Sequence, residues 1–132
     1  MSELTIGMTN EIQSKTDEEM LAVNVGSGTL KVLATPAVAA LMEKAACEMV
    51  QPYLGEGITT VGTMISLDHI SATPGGADIR AVAILTDAAD RKYTFELEAY
   101  DNAGLIAKGK HERFAVKIDR FMEKTQKKIS QA

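Results

Sequence analysis

The sequence predicts an α+β fold in which an antiparallel β-sheet wraps around a long central α-helix, and three observations carry that prediction. Between Leu33 and Met49 the residues are apolar nearly all round a helical cylinder, the pattern of a helix buried on most sides. From Thr59 the hydrophobic period changes from helical to alternating and stays so to Val116. Turn signals divide that second region, so its strands follow one another with no helix between them.

In chain order, Thr5 to Ser14 reads as a first strand, with Ile6, Met8 and Ile12 on one parity. Thr16-Asp17-Glu18-Glu19 has the form of a capping box, which predicts a short helix to about Asn24, ended by Gly26-Ser27-Gly28. Thr35 has an N-cap side chain, and Pro36 follows at the first helical position, where a missing N–H costs nothing. The long helix must stop near Val50, because Pro52 breaks it and disfavours helical geometry at Gln51. Gly55 and Gly57 mark the loop that follows.

In the alternating region, Val61, Thr63, Ile65, Leu67 and His69 share one parity of a strand that ends before Pro74-Gly75-Gly76. Ile79, Ala81, Ala83 and Leu85 face one way in the next strand, which turns near Asp87 to Asp90. Tyr93, Phe95, Leu97 and Ala99 form the apolar side of a third, and Asp101-Asn102-Ala103-Gly104 is a hairpin turn. The last strand, Leu105 to Val116, carries Lys108 and Lys110 on one parity, His111 and Arg113 on the other. Asp119 then caps a final helix whose Lys124, Lys127 and Lys128 suit its C-terminal end. Four consecutive hairpin-joined strands make an antiparallel sheet, and the buried helix fills its concave face. That is the hot-dog arrangement.

At 132 residues the chain is expected to form a single domain, residues 1–132, large enough for a real core. A net charge of −4 gives no basic face for nucleic acid. One cysteine and two histidines exclude a disulfide framework and argue against structural zinc, so neither metal nor cofactor is expected. The N-terminus lacks the basic start and apolar run of a signal peptide, and no apolar run approaches a membrane span. The expected location is cytoplasmic, with no membrane partner.

Glu43 is the first candidate site residue. Its neighbours three and four residues away are Ala39, Ala40, Ala46 and Cys47, so no basic partner lies within reach on the same helix. Such a carboxylate either finds a partner on another element or serves as a general base or water anchor. The Thr35 hydroxyl lies at the positive end of the helix, where backbone N–H groups could also hold a developing oxyanion. His69, just before Ser71-Ala72-Thr73-Pro74, is near a strand end where access is easier. Arg113, on the inward parity, needs an anion, from Glu43 or from a ligand. His111 reads as structural, Cys47 as packing, and the seven methionines as core rather than a binding surface. The lysines of the last strand and helix read as a solvated face, with phosphate contact as the alternative.

Leu33-Ala34-Thr35-Pro36, Ala40-Leu41-Met42-Glu43, Gly62-Thr63, His69, Ala72-Thr73-Pro74 and Gly109-Lys110-His111-Glu112-Arg113 together form a pattern. In residues and spacing it is similar to the hot-dog thioesterases of the fluoroacetyl-CoA thioesterase type, over about Gly26 to Lys117. The resemblance implies hydrolysis of an acyl-CoA thioester by a homodimer whose active sites are shared between neighbouring subunits. It implies catalytic roles for Thr35, Glu43 and His69. Gly62 would be a glycine whose backbone approaches the acyl group, and Arg113 an arginine at the substrate site. The fluoroacetyl-specific enzyme has a phenylalanine-bearing lid before its catalytic threonine, whereas Gly26 to Leu33 here holds no Phe, so the acyl group stays open. Two other readings share the fold: a non-catalytic acyl-CoA-binding module, and a hydratase or dehydratase, for which no Asp/His motif surrounds either histidine.

Overall fold

A computed structural model describes residues 3–130. Strand β1 spans Thr9–Lys15, and helix α1 spans Ala22–Val25. The long helix α2 is Thr35–Val50, followed by strands β2 (Ile58–His69), β3 (Asp78–Ala89), β4 (Lys92–Asp101) and β5 (Gly104–Lys117). Helix α3, Ile118–Ser130, follows β5 without a break. All five strands form one antiparallel sheet in the order β1-β3-β4-β5-β2, and α2 packs against every one of them. The expected wrapped helix is therefore present.

The core sits between α2 and the inward residues of β3, β4 and β5. Val38, Met42, Ala45, Ala46, Met49 and Val50 supply the helix side, while Ile79, Ala81, Ala83, Leu85, Phe95, Leu97 and Ala99 supply the sheet side as their alternation predicts. Met8 and Met20 pack against this cluster, but Met64 and Met122 are exposed, so the methionines are not uniformly core. Helix α2 is buried on one face only: Thr35, Pro36, Ala40, Lys44 and Glu48 face outward, with Cys47 half-buried. The burial expected all round the cylinder is thus incomplete within one chain.

Several local expectations change. The cap of α2 is Ala34, with no side-chain capping bond; Thr35 is already helical, and its hydroxyl is engaged elsewhere. The capping box at Thr16 does not form either. Asp17 precedes a single 3-10 turn, Glu18–Met20, without capping it, and the Thr16 hydroxyl is buried with no partner among the described residues, while its backbone pairs with Gly76 and Ala77. Gln51 keeps helical angles (φ −52°, ψ −43°) despite Pro52, in a 3-10 turn, Gln51–Tyr53, that follows α2. Its amide is clamped to the start of β2, donating to the Ile58 carbonyl at 3.0 Å and accepting from the Thr59 hydroxyl at 2.7 Å. Asp119 lies inside the first turn of α3 rather than at its cap, and the Gly57 carbonyl takes the Ile118 N–H.

Two corrections bear on the site. Strands β2 and β3 are not a hairpin: β2 pairs only with β5, at the opposite edge of the sheet from β1. The segment from Ile70 to Ala77 instead crosses between them, tied by a bridge from Val32 to Pro74 and by the Leu33 N–H to the Thr73 carbonyl. Strand β2 also contains a bulge at Thr63, since Gly62 pairs with Arg113 and Met64 with Glu112. One extra residue reverses the side-chain parity. Thr60 and Gly62 therefore share the face of Arg113, as do Ile65, Leu67 and His69 beyond the bulge, whereas Val61 does not.

Candidate active site

Glu43 projects from the middle of α2 toward Gly62 of β2 and Arg113 of β5. Its Oε2 lies 3.6 Å from Arg113 Nη1, so the partner missing from its own helix comes from the sheet. The Glu43 side chain is 41% exposed and Arg113 is 8% exposed. The carboxylate is therefore open to water while the guanidinium is not. A Cβ at position 62 would fall 2.7 Å from Glu43 Oε2 and 3.3 Å from Arg113 Nη1. Only glycine lets β2 pass this close to the carboxylate.

Arg113 is held from several sides. Its Nε donates to Thr60 Oγ1 at 2.8 Å and its Nη2 to the Thr60 carbonyl at 3.1 Å. Nη1 lies 3.2 Å from His111 Nε2, and His111 Nδ1 lies 2.7 Å from the Met64 carbonyl. Since arginine only donates and a carbonyl only accepts, His111 must carry its proton on Nδ1 and accept at Nε2. The ring is fully buried beside Phe95. Burial is the main cause that lowers its pKa; the Arg113 charge acts the same way, while the Met64 carbonyl and the Glu43 charge oppose it. A neutral His111 thus orients Arg113, which in turn orients Glu43.

At the N-terminal end of α2, Thr35 Oγ1 and His69 Nδ1 are 2.7 Å apart. The threonine that the sequence casts as a cap spends its hydroxyl on this contact. Burial lowers the pKa of His69, opposed by the Ser71 backbone, and keeps the ring neutral near pH 7. Its Nε2 is buried with no protein partner among the described residues, which leaves that nitrogen available to a ligand or water. The pair opens onto a cleft of about 260 Å³ lined by Val32, Leu33, Thr35, His69 and Ser71 among others. The helix terminus itself offers fewer N–H groups than expected: Pro36 has none, and those of Ala37 and Val38 both turn to the Ala34 carbonyl.

The five predicted residues therefore form two groups, Thr35 with His69, and Glu43 with Gly62 and Arg113. Eight residues separate Thr35 from Glu43 on one helix, about 12 Å along its axis. Sequence reasoning missed His111 and Thr60 as the residues that fix Arg113. The signal available was the two-residue spacing of His111 and Arg113, which puts both on one strand face. A wider cleft of about 510 Å³ lies over β1, β3 and β4, where Lys15 pairs with Asp78, Arg80 with Glu11, and Asp101 accepts from the Thr73 hydroxyl and the Ala103 N–H. Among the described residues no three His, Cys, Asp or Glu side chains group as metal ligands would, and no helix is long and apolar enough to cross a membrane.

Comparison with known proteins extends this geometry. Residues 16–119 match the family described as fluoroacetyl-CoA-specific thioesterase. A fluoroacetyl-CoA thioesterase from Streptantibioticus cattleyicolor is 33% identical over 98 residues, 74% of this chain and 70% of that protein. The solved structure of the fluoroacetyl-CoA thioesterase FlK superposes with a TM-score of 0.92 at 25% identity, covering 96% of this chain and 98% of that one. A mutant of the same enzyme, solved with fluoroacetate and CoA, gives 0.85 at 25% identity, over 89% and 99% of the two chains. A thioesterase superfamily member from Thermus thermophilus shares the fold, with a TM-score of 0.90 at 22% identity over 99% and 97%. The match over most of the chain and the shared sheet-around-helix architecture agree: the chain belongs to the fluoroacetyl-CoA-specific thioesterase family and is a hot-dog thioester hydrolase.

Proposed function

We propose that the protein is a cytoplasmic homodimer that hydrolyses a short-chain acyl-CoA to the free acid and CoA. The observation that carries this reading is the Glu43 carboxylate, half open to water and aimed by Arg113 across the Cβ-free surface of Gly62. In the proposed reaction Glu43 either takes a proton from a water that attacks the thioester carbon, or attacks that carbon itself to give an anhydride that water then hydrolyses. Oxygen-18 incorporation into Glu43 during turnover separates the two. Thr35 and the Gly62 backbone stabilise charge developing on the carbonyl oxygen, and the neutral His69 accepts at Nε2 the proton released from the attacking water and hands it to the leaving thiolate. Arg113 keeps the carboxylate in place and binds substrate. Two observations support completion of each site by the neighbouring subunit. The Thr35–His69 and Glu43–Arg113 groups stand apart along α2, and the outward face of α2 and Met64 and Ile65 on edge strand β2 are exposed.

Fluoroacetyl selectivity is not part of the proposal, because Gly26 to Leu33 holds no Phe, its Leu33 is buried in the core and its Leu30 is 66% exposed. The experiment is release of free CoA from a panel of short-chain acyl-CoAs, read with a thiol reagent. Glu43→Ala is expected to lose at least about 10²-fold in kcat on the best substrate, the usual scale for a general base. Full activity in both Glu43→Ala and Thr35→Ala would defeat the assignment. Tight acyl-CoA binding without turnover in the unsubstituted protein would favour a non-catalytic binding module.

A further inference from the structure

Where β5 runs into α3, a cleft of about 350 Å³ is lined by Arg91, Val116, Lys117, Arg120, Phe121 and Lys124. Four of these six residues are cations and none is an acid. Among the described residues none of the four cations forms an ion pair, although Lys92 pairs with Glu112 and Lys127 with Glu123 close by in sequence. The concentration is local. The whole chain is acidic, at −4, yet residues 117–128 hold five Lys and Arg against two acids. Phe121, 36% exposed, also borders a second cleft that shares Lys124 with the first and adds Lys127 and Lys128.

Unpaired cations around an aromatic ring suit a ligand that carries several phosphates and a planar base. Guanidinium and ammonium groups take phosphate oxygens, and a phenyl face stacks a heterocycle. Lys117 follows Arg113 by four residues on the same face of β5, about 13 Å along the strand. That is within reach of a pantetheine arm, roughly 15 Å by extended-chain dimensions. We infer that this cleft holds the phosphorylated nucleotide end of the acyl-CoA, while the thioester lies at Glu43; the assignment rests on the thioesterase reading above. The same cations, lying near the sheet end, also raise the local concentration of an anionic substrate.

The test compares one acyl group on CoA and on pantetheine, which lacks the nucleotide and its phosphates. Combined substitution of Lys117→Gln, Arg120→Gln and Lys124→Gln is expected to raise KM for the acyl-CoA about tenfold, three modest charge contacts together. The same variant should change kcat/KM for the acyl-pantetheine less than about twofold, and the difference should shrink at high salt. Equal effects on both substrates, or none on acyl-CoA, would overturn the inference. Binding of adenosine 3′,5′-bisphosphate, followed by calorimetry, gives an arm independent of turnover: the unsubstituted protein should bind it and the triple variant should not. Inorganic triphosphate binding as tightly as the nucleotide would refute a role for the base. If the unsubstituted protein hydrolysed neither thioester, the thioesterase reading would fail, and the bisphosphate arm alone would decide the cleft.

Discussion

Glu43 and Arg113 show how little of a site's logic lies in one residue. Their contact, at 3.6 Å with the carboxylate 41% exposed, is worth no more than about 1 kcal/mol, the scale of solvent-screened pairs. Arg113 does not depend on it, because Thr60 and His111 hold the guanidinium through three further contacts. Loss of Glu43 should therefore remove chemistry and leave folding nearly intact. His111 is the costlier residue, being buried neutral with both ring nitrogens committed. The pKa values of His111 and His69 lie below their ordinary 6.5 when folded, so just below 6.5 the unfolded chain binds more protons than the native one. Stability from these residues is complete above the unfolded value and is lost as pH falls through the lower folded values. Melting temperature measured against pH should thus reach a plateau above about 6.5 and decline on acidification. His111→Gln should flatten that decline and lower the plateau. A decline of the same steepness in the variant would remove His111 as its cause. In sequence His111 resembled any inward strand histidine, because its partners, the Met64 carbonyl and Arg113, are set by a strand pairing that only the fold specifies.

Among the elements, those readable from sequence were the ones whose pattern is strictly periodic. Strands β3 and β4 alternate regularly through their buried stretches, Ile79 to Leu85 and Phe95 to Ala99, and the bulge of β3 at Thr86 lies beyond the last buried residue. Strand β2 was not readable in the same way, because the bulge at Thr63 places Gly62 on the inward side against an apparent run through Val61 and Thr63. Turn signals likewise show that a chain turns but not where it goes. Pro74-Gly75-Gly76 marks a crossing between the two halves of the sheet rather than a hairpin. The bulge has a functional consequence, since it sets Gly62 against α2. In Gly62→Ala the new Cβ would meet Glu43 Oε2 at 2.7 Å, His111 Cε1 at 3.2 Å and Arg113 Nη1 at 3.3 Å. The flexible end of Glu43 yields first, so the fold should survive while the carboxylate moves. A shift near 1 Å at a reacting group costs up to about 10²-fold in rate. The variant should melt within a few degrees of the parent and lose between about 10- and 100-fold in kcat. Unchanged kcat would show that the approach of β2 to α2 does not position the base.

At the scale of the whole molecule, the half-exposed α2 and the division of the site into two groups become one question. A helix patterned for burial nearly all round, yet covered on one face, is explained if a second copy covers the other. If that copy also completes the chemistry, Thr35 and His69 of one subunit work with Glu43 and Arg113 of the other. Complementation decides this. Thr35→Ala and Glu43→Ala homodimers would each be inactive, since every site in either would lack one essential group. A mixed dimer would instead hold one site with both defects and one with neither. Random reassortment after unfolding and refolding an equal mixture makes half the dimers mixed, each with one intact site out of two, so activity should return to about a quarter of the parent's. If each subunit used its own Thr35 and Glu43, every site in the mixture would keep one defect and activity would stay at the level of the separate variants. Recovery to about a quarter would also explain why Thr35 and Glu43 sit about two turns apart on one helix: each would serve a different site.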